Sequence, residues 1–449
     1  MKILLSIPSF FPEGAGGGQT YVLHCARELG ARGLRVKVVS DGRWESGLTG
    51  DFVIGASIHA GCDVLRVHLN PDGQLLGDPY TQMGRALLEA LGAVLDAEQP
   101  DLVHCSGFKA ALVPLCRERG IPCVVTAHHP GFVCPAGSLL TDRGEMCRVP
   151  AGNAACIPCC SRQKVSSAFL GAVLGGLPHR LAFAIGRRVG KRRAAPYLLR
   201  GLALPWNVHS SLQRIRSVLE NAPLIISPSL AMASYLALNG VPAGRTMVVP
   251  HGIAPVGPML ADAHPDVIRF GYLGGFAALK GFHILVQALQ RLPALPACEL
   301  HVFGEAKYPW EQRYFDETVA RYAGPHRIVR HAPVGQSKLG EAFSFIDVLV
   351  VPSVLLEVFG LVVLEAQSAG RPVIASRCGG PEETIRDGVD GLLVRRGDPA
   401  SLAEAMAALA RDPARRADMV ARIRPVRTMR EHVDSLLRVY RELMERQTL

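Results

Sequence analysis

The sequence predicts an α/β protein made of two doubly wound domains facing a central cleft, and three observations carry that prediction. Short apolar runs rich in Val and Ile alternate with helix-length amphipathic runs, the rhythm of βαβ units that builds a parallel sheet covered on both faces. The chain has 449 residues, 49% of them hydrophobic, enough for two or three cores at roughly 100–200 residues per domain. Near its middle, Val249-Pro-His-Gly-Ile-Ala-Pro-Val-Gly-Pro is dense in Pro and Gly, the composition of a linker between domains.

In the first half the strand candidates are Lys2–Ile7, Arg35–Ser40, Leu102–His104, Cys123–Ala127 and Leu224–Ser227. The second half offers Ile268–Leu273, Glu299–Phe303, Val348–Val351, Pro372–Ala375 and Gly391–Val394. The expected order is an N-terminal Rossmann-like domain over residues 1–250, a linker over 251–266, a C-terminal Rossmann-like domain over 267–424, and terminal helices over 425–449. In those helices Val433, Leu436, Leu437, Tyr440 and Leu443 recur at three- and four-residue steps, so one stripe is expected to be buried, packing back toward the N-terminal domain. Residues 130–219 fit neither domain's rhythm and read as an insertion.

The opening run from Met1 to Phe10 is interrupted by Pro8 and followed by Pro12; it lacks a signal-peptide core and reads as a first strand of a cytoplasmic protein. The longest apolar stretch, Val165 to Gly186, is broken by Pro178, His179 and Arg180, which argues against a spanning helix. Net charge is +10, yet between Glu145 and Glu220 there is no acidic residue, and the basic residues from Arg148 to Arg216 supply +12 there. The basic character is therefore local.

The most informative run is Pro352-Ser-Val-Leu-Leu-Glu-Val-Phe-Gly-Leu-Val-Val-Leu-Glu-Ala, ahead of Gly370-Arg-Pro. A strand ends at Val351, a loop carries Glu357 and Gly360, and a helix starts at Leu361. A helix that begins at the carboxyl end of a parallel strand points free N–H groups and a positive dipole end outward, where a diphosphate can sit. Gly360 lets the backbone approach phosphates closely. Glu365, one turn into the helix, can accept hydrogen bonds from a ribose diol, and Glu357 can reach a sugar. A lone Glu on a helix is more often a solvated surface group, and Lys280 alone would be a surface lysine.

Glu357, seven residues, then Glu365, with Gly370-Arg-Pro-Val-Ile-Ala-Ser, Gly379-Gly-Pro-Glu-Glu and Asp387-Gly-Val-Asp-Gly-Leu-Leu-Val, resembles the E-x7-E region of retaining glycosyltransferase family 4, a GT-B fold group. The likeness extends back to Phe270-Gly-Tyr-Leu-Gly-Gly-Phe-Ala-Ala-Leu-Lys-Gly and covers the C-terminal domain. The resemblance implies that a nucleotide-diphosphate sugar, UDP-linked by family weight with GDP open, is the donor. It places Glu365 on the ribose, Glu357 near the donor sugar, Lys280 on the diphosphate, and Leu361 and Val362 as backbone donors, beside Gly274, Gly275 and Gly360. Many members carry an Arg where this chain has Gly275.

On the N-terminal side, Gly14, Gly16, Gly17 and Gly18 open a helix after the first strand. Alone, such a loop is either a flexible turn or a ligand loop; in this place it resembles the family's acceptor and diphosphate loop. His128, at the end of Cys123–Ala127, is a structural His on residue grounds and resembles the family position at the donor sugar. His129 stands where relatives often have Asp. There is no Ser-His-Asp triad and no hydrolytic carboxylate pair on one loop. The resemblance implies reaction on one face of the sugar, the leaving phosphate helping to deprotonate the acceptor, with no cofactor required for the chemistry.

Cys134, Cys147, Cys156, Cys159 and Cys160 crowd one segment among twelve cysteines. In a reducing compartment, four thiolates with one C-x2-C pair, Cys134, Cys147, Cys156 and Cys159, are a candidate structural zinc site; free or redox-active thiols are the alternative. A subset of the family carries a comparable stretch. Beyond it, Phe169 to Ile185 is apolar and flanked by Arg187, Arg188, Lys191, Arg192 and Arg193. That pattern fits either peripheral contact with an anionic inner-membrane surface, and so a lipid-linked or other glycan acceptor, or a solvated basic face over a buried helix. The competing functions are a nucleotide-sugar epimerase of the same architecture and a nucleic-acid-binding protein. The basic segment lacks the interleaved aromatics and reader motif that nucleic-acid binding requires, so no nucleic-acid partner is expected.

Overall fold

The computed structural model describes residues 1–12, 16–42, 51–69, 85–165, 168–190, 201–257, 267–294 and 296–448. Gly14, the basic residues Lys191, Arg192, Arg193 and Arg200, and linker positions 258–266 lie outside the described residues. Two compact units emerge: Met1–Pro250 with His432–Leu449, and His251–Glu431.

The first unit runs β1 (Lys2–Ser6), α1 (Gly17–Gly30), β2 (Arg35–Asp41), β3 (Phe52–His59), β4 (Cys62–Leu69), α2 (Arg85–Glu98), β5 (Leu102–Cys105), α3 (Lys109–Glu118) and β6 (Cys123–Thr126). It continues through α4 (Asn153–Lys164), α5 (Ala168–Gly176), α6 (His179–Gly190), α7 (Leu204–Asn221), β7 (Leu224–Ser227), α8 (Leu230–Leu238) and β8 (Thr246–Val248). The described strands form one sheet in the order β3-β4-β2-β1-β5-β6-β7-β8. Every pairing in it is parallel except that of β3 with β4. β5, β6 and β7 are buried at every position, as central strands covered on both faces must be, which is why they read as unbroken apolar runs. The hairpin at the edge turns through Ala60 and Gly61, both with positive φ, the geometry whose twist matches that of the flanking strands.

The second unit comprises β9 (Val267–Leu273), α9 (Phe282–Gln290), β10 (Ala297–Phe303), α10 (Pro309–Ala320), β11 (Arg327–His331), α11 (Leu339–Ser344), β12 (Val348–Val351), α12 (Leu361–Ser368), β13 (Val373–Ser376), α13 (Gly380–Thr384), β14 (Gly391–Val394), α14 (Pro399–Arg411) and α15 (Pro413–Arg422). Its sheet is parallel throughout, in the order β11-β10-β9-β12-β13-β14. Phe276, Phe282 and Phe315 are buried together, with Phe276 and Phe315 ring centres 4.5 Å apart. Burying a Phe is worth about 2–3 kcal/mol, and here it pins the loop that joins β9 to α9.

The last helix, α16 (Met429–Thr448), enters the first unit from His432 onward. Its Val433, Leu436, Tyr440 and Leu443 are buried, whereas Leu437 is only partly covered. The Tyr440 hydroxyl lies 2.6 Å from His104 Nδ1. Among the described residues no helix is long and apolar enough to cross a membrane.

Candidate functional site

In the second unit the residues singled out by spacing converge at the carboxyl ends of β9 and β12. Gly360 adopts the left-handed conformation, φ 82°, and caps α12, a backbone that side chains with a Cβ rarely take. The Val363 N–H closes onto the Gly360 carbonyl at 2.9 Å, so the amides of Leu361 and Val362 belong to the open first turn, which contains no acidic residue. The positive end of the helix is thus left electrostatically uncompensated by the helix's own side chains.

The loop ahead of that helix is fixed by backbone pairing. Glu357 N–H donates to the Cys378 carbonyl at 2.8 Å and Gly380 N–H donates to the Glu357 carbonyl at 2.7 Å. A Cβ on Gly380 would fall 2.4 Å from Phe359 backbone atoms, so the Gly379-Gly380 pair exists to let this loop and the next lie against each other. With the backbone held, the Glu357 carboxylate accepts from Lys280 Nζ at 2.7 Å and from Ser353 Oγ at 2.5 Å. The structure therefore brings Lys280 and Glu357 together as an ion pair.

Lys280 ends a single 3-10 turn, Ala278–Lys280, followed by Gly281 with φ 77°. A Cβ on Gly281 would lie 1.9 Å from the Pro352 carbonyl oxygen, which makes glycine obligatory there. Gly274 N–H donates to the Phe303 carbonyl at 3.1 Å. The Gly275 carbonyl accepts from the buried Tyr272 hydroxyl at 2.8 Å, while a Cβ on Gly275 would meet only open space. Glu365 is 9% exposed and accepts from Gln336 Nε2 at 3.0 Å. Burial raises its pKa above the ordinary carboxylate value, and the Gln336 bond opposes that shift only in part. A buried carboxylate with one neutral donor has unused acceptor capacity for further hydroxyl donors.

In the first unit, Gly17 and Gly18 form the first turn of α1, which likewise lacks acidic residues. His128 follows β6, and its Nε2 lies 2.9 Å from Ser106 Oγ; the Tyr21 ring packs edge-on against it with centres 4.6 Å apart. Burial, reinforced by the nearby His104, Lys109 and His432, holds the His128 pKa well below the usual imidazole value, so at neutral pH it is an uncharged hydrogen-bonding group. His129 serves its own loop, where its Nδ1 accepts from Gly131 N–H at 2.9 Å and caps the turn Pro130–Phe132.

The zinc expectation finds no support in the described residues. Among the described residues no three His, Cys, Asp or Glu side chains are grouped to hold a metal ion. Cys134, Cys147, Cys156 and Cys159 are near one another, and burial with the neighbouring thiols pushes Cys156 up to about 11. Two of the sulfurs have protein partners. Cys147 Sγ faces the Val149 carbonyl at 3.7 Å, and Gln163 Nε2 donates to Cys159 Sγ at 3.1 Å. Cys156 and Cys159 lie on helix α4, and Cys156 packs against a small apolar core that includes Ile157 and Val208.

Sequence reasoning passed over Ser353, Gln336, Ser106 and Tyr21. Ser353 sits four residues before Glu357 and was legible in principle. Gln336 and Ser106 come from other loops, so only the folded chain brings them to their partners.

Comparison with known proteins places this geometry in a family. The glycosyl transferase 4-like domain matches residues 16–252, and the glycosyl transferases group 1 domain matches residues 267–412. The chain belongs to the group 1, family 4-like glycosyl transferases. It is 34% identical over 214 residues to a D-inositol 3-phosphate glycosyltransferase of Xylanimonas cellulosilytica, a match covering 44% of this chain and 51% of the relative. It is 31% identical over 220 residues to the enzyme of the same name from Stackebrandtia nassauensis, covering 45% of this chain and 49% of the relative. The chain thus spans about half the length of the curated relatives it matches. Among solved structures, sucrose-phosphate synthase of Thermosynechococcus elongatus superposes with a TM-score of 0.67 at 22% identity, over 99% of both chains. Anabaena HepE in complex with UDP and glucose superposes with a TM-score of 0.61 at 17% identity, over 100% of this chain and 99% of that one. These likenesses show the GT-B fold.

Proposed function

We propose that the chain is a retaining glycosyltransferase that moves a sugar from a nucleotide-diphosphate donor, a UDP-sugar foremost, to a glycan, lipid-linked or small-molecule acceptor in cell-surface polysaccharide or glycolipid synthesis. The observation that carries this reading is the single loop-helix unit in which Gly360 opens α12, Glu365 is buried with acceptor capacity to spare, and Lys280 pairs with Glu357. Relatives named for inositol phosphate glycosylation and a fold neighbour that holds UDP and glucose support it.

In this reading the Leu361 and Val362 amides and the Lys280 ammonium hold the diphosphate, and Glu365 accepts from the ribose hydroxyls. Lys280 exchanges Glu357 for phosphate, which frees Glu357 to accept from the sugar. Gly274, Gly275, Gly17 and Gly18 leave backbone exposed to the donor, and neutral His128 hydrogen-bonds to the transferred sugar. The bond from the anomeric carbon to the leaving phosphate breaks as the acceptor oxygen bonds on the same face, and the acceptor's proton passes to a leaving phosphate oxygen. The protein's contribution is positioning and stabilisation of the departing charge.

The test is calorimetry of UDP with the intact protein and with Glu365→Ala, beside slow hydrolysis of UDP-sugars. Unchanged UDP affinity in the variant would refute the assignment, and interconversion of sugar nucleotides without an acceptor would mark an epimerase instead.

The acceptor side points toward an anionic membrane surface. Phe169 is 79% exposed, Val173 and Leu181 are also exposed, and Arg180, Arg187 and Arg188 stand in the same helix pair, α5 and α6. Each basic residue near such a surface contributes about 1 kcal/mol. Co-sedimentation with phosphatidylglycerol vesicles that exceeds that with phosphatidylcholine is the expected result; indifference to anionic lipid would remove peripheral association.

A further inference from the structure

Next to His128 lies a buried polar cluster that the donor chemistry leaves unused, and part of it comes from the last helix. His432 and Tyr440 both lie on α16, about two turns apart and so on one face, and both are 0% exposed. Leu or Val would be easier to bury at either place, because a buried polar group costs stability unless it is bonded. Both are bonded. The Tyr440 hydroxyl meets His104 Nδ1, and the same imidazole continues through Nε2 to Thr126 Oγ1 at 2.6 Å. His432 Nδ1 lies 2.8 Å from the Pro250 carbonyl oxygen, and its Nε2 lies 2.9 Å from the Tyr21 hydroxyl.

The proton positions at His432 follow from these partners. A carbonyl oxygen can only accept, so Nδ1 carries the hydrogen, Nε2 keeps the lone pair, and the Tyr21 hydroxyl donates to it. That bond pins the far end of Tyr21, which sits on α1 one turn beyond Gly17. The Tyr21 ring packs edge-on against two imidazoles, with centres 5.3 Å from His432 and 4.6 Å from His128. Ser106 holds one nitrogen of His128, and the Tyr21 ring restrains the plane of the imidazole.

We infer that His432 is a positioning residue: through the Tyr21 hydroxyl it locks the ring that sets the plane of His128, and so the direction in which His128 meets the transferred sugar. The inference rests on the transferase reading and adds to it a residue from the last helix. A plain structural pin would act through Nδ1 and Pro250, whereas a positioning role acts through Nε2 and Tyr21. Two substitutions separate these roles. Asn carries an amide nitrogen close to the place of Nδ1 and keeps the Pro250 bond; Gln carries an amide oxygen close to the place of Nε2 and keeps the Tyr21 bond.

The experiment compares the intact protein with His432→Gln, His432→Asn, Tyr21→Phe and the pair His432→Asn with Tyr21→Phe, each shown to be folded by circular dichroism. Three quantities are read: kcat for hydrolysis of the UDP-sugar that the unmodified protein turns over fastest, UDP affinity by calorimetry, and the imidazole nitrogen NMR signals, with that of His128 assigned by His128→Gln. The expected result is a kcat lowered about tenfold or more in His432→Asn and in Tyr21→Phe, kept within about threefold in His432→Gln, and no lower in the pair than in the worse single variant, with UDP affinity unchanged. The His128 signals move in His432→Asn and Tyr21→Phe and hold in His432→Gln. Equal losses in His432→Gln and His432→Asn, a loss in His432→Gln alone, or His128 signals that ignore Tyr21→Phe overturn the inference. If His432→Asn does not fold, Tyr21→Phe against His432→Gln decides alone. Absence of both UDP binding and UDP-sugar hydrolysis in the unmodified protein sinks the transferase reading and with it the positioning role; their presence, with His128 signals that ignore Tyr21→Phe, sinks only this inference.

Discussion

The loop from Ser353 to Glu365 and the stretch from Cys134 to Cys160 are both marked by residue spacing, and they fold to opposite ends. In the first, spacing coincides with backbone geometry: a strand end, a left-handed Gly360 and a paired loop at Glu357 hold each side chain in place. In the second, the thiols are neighbours, but Cys156 and Cys159 lie along a helix and take protein partners, and no ligand group forms among the described residues. Spacing reports chemistry when the intervening backbone is a fixed turn. It reports much less when the intervening chain is free to become a helix.

The largest effect that could break this contrast is backbone strain at the loop that carries Lys280. Gly281→Ala places a Cβ 1.9 Å from the Pro352 carbonyl oxygen at φ 77°, and is expected to destabilise the second unit by on the order of 3 kcal/mol, read from urea unfolding. An unchanged midpoint would mean that the loop is softer than the pairing implies.

Next in size is Glu365. Losing two charge-assisted hydrogen bonds at about 1.5–3 kcal/mol each should weaken UDP binding by roughly 100-fold or more in Glu365→Ala, measured by calorimetry. The pH dependence has a definite sign. Because burial raises the folded pKa of Glu365 above its ordinary value of 4.5, the ionised group costs stability, and that cost is absent below pH 4.5 and grows as pH rises through the folded pKa. Glu365→Gln should therefore unfold at a higher temperature than the parent at pH 7, and the gain should vanish near pH 4. A gain that is equal at both values would point to packing instead of charge.

Gly275→Arg comes third. Its Cβ enters open space, so the fold should tolerate it, and a second phosphate cation should tighten UDP about tenfold. Weaker binding would show that the Gly275 backbone must approach the nucleotide closely. The smallest effect belongs to the thiols. Cys156→Ser should change stability by about 1 kcal/mol at most, with no stoichiometric zinc in the purified protein by elemental analysis. Tight zinc that disappears in the variant would erase the difference between the two regions.

The parallel core strands were legible because burial on both faces writes them as unbroken Val and Ile runs; Leu224–Ser227, Val348–Val351 and Gly391–Val394 begin and end where the sequence placed them. The edge hairpin Phe52–Leu69 was not, since one strand is interrupted by Gly55, Ala56 and Ser57 and the turn puts Ala60 in a conformation more typical of Gly or Asn. The edge strand Arg327–His331 is half polar and pairs on one side only within its sheet. Such strands obey their neighbours more than their own periodicity.

What the amino-acid sequence determined alone is local and backbone-driven: the α/β class, the βα rhythm, the Gly that opens α12 and the two Glu that frame it. What only tertiary structure decided is which distant groups meet. Gln336 reaches Glu365, Lys280 closes on Glu357 across 77 positions, and Tyr440 of the last helix bonds His104 in the first sheet. The physical reason is range: turn geometry and strand periodicity act over a few residues, whereas a hydrogen bond between loops depends on how whole layers pack.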